Sequence, residues 1–211
     1  MKQLDTSLYF ITDSTFCDEE EFLRRVELAL QGGVSILQLR EKTDSARQYM
    51  QLAEKVHAIA RKYDVPLIID DRLDVAMAIG AEGVHLGQSD LPVEAARRIA
   101  GKDMIIGATT KTVEQAQEAF RMGADYLGVG AIYPTTTKVK TILTSVDTLR
   151  AICQAVPIPV NAIGGLNKDN IHVLKNTGIA GICAVSAIMK AQNPLQAAAE
   201  LKQAAKDLAL F

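Results

Sequence analysis

Charged side chains at three points of the chain have the types and spacing to do chemistry. Arg40 and Lys42 lie in Gln38-Leu39-Arg40-Glu41-Lys42, Asp71 follows Asp70 in Ile69-Asp70-Asp71-Arg72, and Asp90 ends Leu86-Gly87-Gln88-Ser89-Asp90. Alternation along an extended segment puts Gln38, Arg40 and Lys42 on one side, where two cations can grip a diphosphate. An isolated Arg-Glu-Lys is more often a solvated loop, so this motif gains weight only from its neighbours. Asp71 and Asp90 each follow an apolar run. Carboxylates at the ends of adjacent strands, about 4.8 Å apart, can share one hard cation; Mg2+ would leave its other positions to phosphate oxygens and water. Taken singly, Asp71 reads as a helix N-cap and Asp90 as a turn residue before Leu91-Pro92.

Two more segments suit phosphate. Tyr133-Pro134-Thr135-Thr136-Thr137-Lys138 sets three hydroxyls beside one mobile cation, otherwise ordinary turn material. Ala162-Ile163-Gly164-Gly165 and Val185-Ser186-Ala187-Ile188 can together cradle a monophosphate, with backbone N–H groups at the glycines and a helix start behind Ser186. The expected layout is two anion sites on one rim: Gly164, Gly165 and Ser186 for a monophosphate, and Arg40, Lys42, Asp71, Asp90 and Lys138 for a diphosphate with its cation.

The elements that must position these groups show in the punctuation. Gly32, Gly80, Gly123 and Gly178 each close a helix-like stretch and open a short apolar run, at intervals of 43 to 55 residues. Each glycine suits a left-handed helix C-cap. An interval of that size holds about two βα units, so a further strand belongs in each gap. Leu8-Tyr9-Phe10-Ile11-Thr12, Pro66-Leu67-Ile68-Ile69, Met104-Ile105-Ile106-Gly107 and Pro159-Val160-Asn161-Ala162-Ile163 supply them, making eight. Between the strands run amphipathic stripes such as Phe22, Val26, Ala29 and Leu30, or Leu52, Val56, Ile59 and Ala60. Thr112-Val113-Glu114-Gln115 has the form of a capping box, and Asn193-Pro194 can start the last helix. The fold expected is a single-domain α/β (β/α)8 TIM barrel over residues 1–211, with its chemistry at the C-terminal strand ends; a doubly wound open sheet is the runner-up.

Composition narrows the partners. With 23 Lys plus Arg against 25 Asp plus Glu, a net charge of −2 provides no field to gather nucleic acid or an anionic membrane. Cys17, Cys153 and Cys183 form no C-x-x-C pair, which argues against disulfides and zinc and for a reducing cytoplasm. The N-terminus lacks a signal-type apolar core and no segment runs apolar far enough to span a bilayer. Small-molecule substrates are the expected partners, without nucleic acid or membrane, and a homo-oligomer stays open. His57, His85 and His172 are scattered, and packing or surface roles are expected for them.

In this order, the motifs Gln38-Leu39-Arg40-Glu41-Lys42, Asp71-Arg72, Gly83-Val84-His85-Leu86-Gly87-Gln88, Thr135-x-Thr137-Lys138, Ala162-Ile163-Gly164-Gly165 and Val185-Ser186-Ala187-Ile188 resemble the thiamine phosphate synthase family over nearly the whole chain. The resemblance implies a barrel that joins hydroxymethylpyrimidine diphosphate to thiazole phosphate with Mg2+, releasing pyrophosphate through a carbocation-type substitution. It implies Asp71 and Asp90 as Mg2+ ligands and Arg40, Lys42 and Lys138 as pyrophosphate ligands, with Arg40, Lys138 and Thr109 serving catalysis. Gln38 and Asp70 would face the pyrimidine. Thr135, Thr137, Gly164, Gly165, Val185 and Ser186 would hold the thiazole phosphate. Three departures from the family pattern stand out: Asp70 for the usual asparagine, Thr109-Thr110-Lys111 for Ser-Thr-His, and Val139-Lys140-Thr141 for Pro-Asp-Ala. The alternatives are a thiazole tautomerase-like isomerase, another sugar-phosphate isomerase and a non-catalytic phosphate-binding paralogue.

Overall fold

The structure is a computed structural model that describes residues 4–135 and 142–211. Eight strands, β1 (Leu8–Ile11), β2 (Ile36–Leu39), β3 (Leu67–Asp70), β4 (Gly83–Leu86), β5 (Ile105–Thr110), β6 (Tyr126–Gly130), β7 (Val160–Ile163) and β8 (Gly181–Ala184), close into one barrel. Every neighbour is parallel, and Tyr9 pairs with both Ile36 and Cys183 where β1 joins β2 and β8. Closure removes the open-sheet alternative.

Helices α1 (Glu19–Gln31), α2 (Ala46–Lys62), α3 (Leu73–Ile79), α4 (Val93–Ala100), α5 (Val113–Arg121) and α6 (Val146–Ala155) return the chain between successive strands up to β7. The connection from β7 to β8 holds only a 3-10 turn, Ile171–Leu174, where a full helix was expected before Gly178. Asn167 and Asn170 accept backbone N–H bonds from Asp169 and Asn167, locking turns there that compete with a helix. After β8 come the one-turn α7 (Ser186–Met189) and the closing α8 (Pro194–Asp207), capped by Asn193 as its sequence suggests. Thr112 caps α5 through Gln115 N–H at 3.2 Å, but the Gln115 side chain takes the Lys111 N–H instead, so the capping box is half formed.

Strand alternation sorts the core into two layers. Leu8, Phe10, Leu37, Leu39, Leu67, Ile69, Val84 and Leu86 pack outward against helix stripes that include Phe22, Val26, Ala29 and Leu30. Inside the barrel Tyr9, Ile11, Ile36, Ile68, Tyr126 and Cys183 form a second cluster. Tyr126 crosses to the β5 side, where a Cβ on Gly107 would lie 2.1 Å from its ring, so only glycine fits.

Counted from Gly33, Gly80, Gly123 and Gly178, the third position of the glycine repeat carries a hydrogen-bond device in three of its four copies. Ser35, Glu82 and Asp125 each accept the backbone N–H of an earlier odd strand, at Leu8 (3.0 Å), Leu67 (2.8 Å) and Ile106 (2.7 Å). The fourth copy has Ala180, which cannot. Gly80 is a left-handed cap as expected, whereas in the first copy Gly32 is right-handed and Gly33 takes the positive φ. Among the described residues no helix is long and apolar enough to cross a membrane.

Candidate active site

The C-terminal strand ends gather most of the residues picked out by sequence. Tyr49, from α2, holds two of those ends side by side. Its hydroxyl donates to the Leu39 carbonyl at 2.6 Å and accepts the Asp70 N–H at 3.2 Å, fixing the exits of β2 and β3 from which Arg40 and Asp70 project. Thr12 secures the other side of β2 by accepting the Arg40 N–H at 3.1 Å. Neither tie is visible in sequence, because each depends on which loops become neighbours.

Around these ends opposite charges interleave. Lys42 Nζ lies 2.6 Å from Asp70 Oδ2 and also donates to Asp71, and Arg40 Nε is 3.8 Å from the same Asp70 oxygen. Burial pushes the Asp70 carboxyl upward in pKa and the Asp71 charge adds to this, with Lys42 and Arg40 pulling against them. Burial would also raise Asp71, but Lys42 and a contact with the Asp90 carboxyl outweigh it and hold Asp71 low. Asp90 is raised, by burial and then by Asp71. Asp71 and Asp90 therefore meet on one rim. Asp90 also accepts the Gly87 N–H at 2.7 Å, so its turn role and its place beside Asp71 coexist.

Asp71 does not cap α3. Arg72 occupies that position without a side-chain cap, and Asp71 sits at φ 62, in the left-handed region. Its N–H donates to the His85 carbonyl at 2.8 Å, a β4 contact that holds the unusual backbone in place.

Two carboxyls in contact repel unless a proton or cation lies between them. Among the described residues no group of three or more His, Cys, Asp or Glu side chains stands at metal-holding spacing. A two-carboxylate pair fits a hard dication that takes its remaining oxygens from phosphate and water, and suits zinc poorly.

Gln38 is buried in the barrel mouth and donates through Nε2 to the Tyr9 hydroxyl at 2.6 Å. Thr109 Oγ1 is 2.9 Å from His85 Nε2, and its carbonyl accepts from Gln88 Nε2 at 2.7 Å. His85, for which the sequence predicts a packing or surface role, thus lies beside Thr109 within the site; its spacing of two from Gly83 on a short strand is the signal that points it inward. His57 bonds Glu82 and His172 the Asp169 carbonyl, both away from these groups.

Across the mouth Gly164 and Gly165 have φ of 108° and 64°. A Cβ on Gly164 would come within 2.4 Å of the Ala131 Cβ, and one on Gly165 within 2.8 Å of the Tyr133 Cβ. Glycine here brings the β7 exit flat against the β6 exit that leads to Thr135. Val185 and Ser186 begin α7 next to them in chain order around the barrel. Thr137 and Lys138, with the Val139-Lys140-Thr141 departure, lie outside the described residues. A separate cleft of about 570 Å3 lies between α1 and α2, but Asp18, Glu19, Asp44 and Glu54 line it, the wrong sign for phosphate.

The comparisons with known proteins point one way. The family model described as thiamine monophosphate synthase matches residues 8–188. The chain is 52% identical over 186 residues to thiamine-phosphate synthase 2 of Streptococcus pneumoniae serotype 4, covering 88% of this chain and 89% of that one. It is 49% identical over 194 residues to thiamine-phosphate synthase of Methanobrevibacter smithii, covering 92% of each. Among solved structures, thiamine phosphate pyrophosphorylase from Pyrococcus furiosus superposes with a TM-score of 0.88 at 38% identity, over 98% of both chains. Sequence and fold agree over almost the full length, and the chain belongs to the thiamine monophosphate synthase family.

Proposed function

We propose that the protein is a cytoplasmic, Mg2+-dependent thiamine-phosphate synthase, a transferase that joins hydroxymethylpyrimidine diphosphate to thiazole phosphate and releases pyrophosphate. The observation that carries this reading is the Asp71–Asp90 carboxyl pair set beside Lys42 and Arg40 on one rim. Such a cluster serves a departing polyphosphate. A thiazole tautomerase has no use for it. A sugar-phosphate isomerase would need an acid/base pair at β1 and β6, but Asp13 at the β1 exit is engaged by Thr15 and Lys190, and β6 ends in Gly130.

In the proposed reaction the bond between the pyrimidine methylene carbon and the pyrophosphate oxygen breaks, leaving both electrons on oxygen. The pyrimidine-stabilised carbocation is then captured by the thiazole nitrogen lone pair. No nucleophilic side chain is required, so the residues act by holding and neutralising. Arg40 and Lys138, with Lys42, take the charge that grows on pyrophosphate, and the Thr109 hydroxyl donates to one of its oxygens. Gln38 and Asp70 orient the pyrimidine. Thr135, Thr137, Gly164, Gly165, Val185 and Ser186 hold the thiazole phosphate so that its nitrogen faces the methylene. Mg2+ held by Asp71 and Asp90 would supply further charge neutralisation to the leaving group.

The test is direct: purified protein, both substrates and Mg2+, with thiamine phosphate and pyrophosphate measured together. Equimolar formation of both is expected. Absence of both products with either substrate still binding would favour the phosphate-binding paralogue instead.

A further inference from the structure

A line of hydrogen bonds runs through the barrel interior and joins three of these site residues, Gln38, His85 and Thr109, by way of two tyrosines that lie beneath the mouth. Gln38 Nε2 is 2.6 Å from the Tyr9 hydroxyl, which is 2.6 Å from the Tyr126 hydroxyl. The Tyr126 hydroxyl is 3.1 Å from His85 Nδ1, and His85 Nε2 is 2.9 Å from Thr109 Oγ1. Strands β2, β1, β6, β4 and β5 each contribute one member. The two phenols are 1% and 0% exposed, so neither reaches a ligand at the mouth. Space for the chain is made by glycine: a Cβ on Gly107 would fall 2.3 Å from the Tyr126 hydroxyl and 2.5 Å from His85 Nδ1, and one on Gly128 within 3.2 Å of His85 Cε1.

A phenol has one proton, and a neutral imidazole has one donor and one acceptor nitrogen, so each bond in such a chain fixes the next. With His85 neutral, two coherent senses exist. In the first, Gln38 donates to Tyr9, Tyr9 to Tyr126 and Tyr126 to His85 Nδ1; the His85 proton is then on Nε2 and donates to Thr109, whose own proton is left to point at the mouth. Gln38 Oε1 is left to accept. In the reverse sense Thr109 donates inward, His85 carries its proton on Nδ1, and Gln38 offers only N–H groups. Burial holds both phenols far above their ordinary pKa, so they stay neutral donors in either case.

We propose that this chain is a directional relay, in which Tyr9 and Tyr126 are positioning residues that set the acceptor face of Gln38 and the donor face of Thr109 toward the two ends of the pyrimidine diphosphate. The proposal rests on the activity proposed above. Its first sense is the one that activity needs: an acceptor for the amino group of the pyrimidine and a donor for a pyrophosphate oxygen. Breaking the chain at one phenol frees both ends to reverse.

The experiment has a half that needs no substrate. In protein labelled with 15N-histidine, His85 is expected to show a pyridine-type Nδ1 and a protonated Nε2, and Tyr126→Phe is expected to erase that preference. A His85 tautomer unchanged in Tyr126→Phe, or protonated on Nδ1 in the parent protein, would overturn the relay. In the kinetic half, Tyr9→Phe and Tyr126→Phe should each lower kcat/KM for the pyrimidine diphosphate about tenfold, with KM for thiazole phosphate unmoved. The double variant should lose no more than the worse single one, since both cut one chain. Additive losses, or equal losses toward both substrates, would instead mark the tyrosines as packing residues. If the parent protein makes no thiamine phosphate yet shows the expected tautomer, the activity assignment fails and the relay itself survives.

Discussion

Asp71 shows how a single residue can be read two ways until its neighbours are known. By sequence it suits a helix cap; in the structure it gives up the cap to Arg72, adopts a left-handed backbone and meets Asp90. Holding a non-glycine residue at that φ costs about 1 kcal/mol or more, which a site can store and a cap would not need. Each carboxyl is expected to be a metal ligand whose loss cannot be made up by the other. Asp71→Ala and Asp90→Ala should each reduce turnover about a hundredfold or more and raise the Mg2+ concentration needed for half-maximal rate. Initial rates across a Mg2+ titration decide this, and a variant with the parent's metal curve would remove the residue from the ligand set. The motif positions after apolar runs were enough to single out Arg40, Lys42, Asp70, Asp71 and Asp90. His85 was not legible that way, because a lone histidine carries no spacing partner and its two ring contacts come from β5 and β6.

At the scale of elements, short strands need help at their entry ends. Most are four residues long, and the third position of the glycine repeat supplies it by tying odd strands to the loops before even ones. Glu82 does double duty, since it accepts from Leu67 and also faces His57 Nε2 at 3.1 Å. Removing it strands a β3 N–H and a buried histidine. Glu82→Ala should destabilise by about 1–3 kcal/mol, a fall in Tm of roughly 2–10 °C, and Glu82→Gln should recover much of it by keeping the acceptor. Thermal melts of the two variants side by side are the check; equal Tm values would show that the tie carries no load. The repeat was plain in sequence from its glycines, but the role of Ser35, Glu82 and Asp125 was not. Their acceptors find donors across a loop that only barrel closure brings near. The missing helix before β8 has a local cause instead, in the asparagine turns at 167 and 170.

At the scale of the whole molecule, a closed barrel has no edge, so its last helix bears on its first. The α1 C-terminus abuts α8 so closely that a Cβ on Gly32 would sit 2.4 Å from the Leu195 carbonyl oxygen, and Lys202 reaches back to the Gly33 carbonyl at 2.7 Å. Pro194, Ala198, Leu201 and Ala205 form the buried stripe of α8. A chain ending at Gln192 is therefore expected to lose cooperative unfolding and its near-UV circular dichroism, rather than fray locally; a sharp melt retained in that truncation would show the barrel to be independent of α8. The sequence by itself determined the eight-strand count, the alternation of strand and helix, the two cap signals at Thr112 and Asn193, and the family resemblance, because each is written in local periodicity and short motifs. What only the tertiary structure decided was closure over an open sheet, the meeting of Asp71 with Asp90, the grip of Tyr49 on two strand ends and the buried line from Gln38 to Thr109. Those depend on contacts far apart in sequence, 117 positions between Tyr9 and Tyr126 and further still where Tyr9 pairs with Cys183 to close the barrel, and no local pattern encodes which strand will lie opposite another once the barrel shuts.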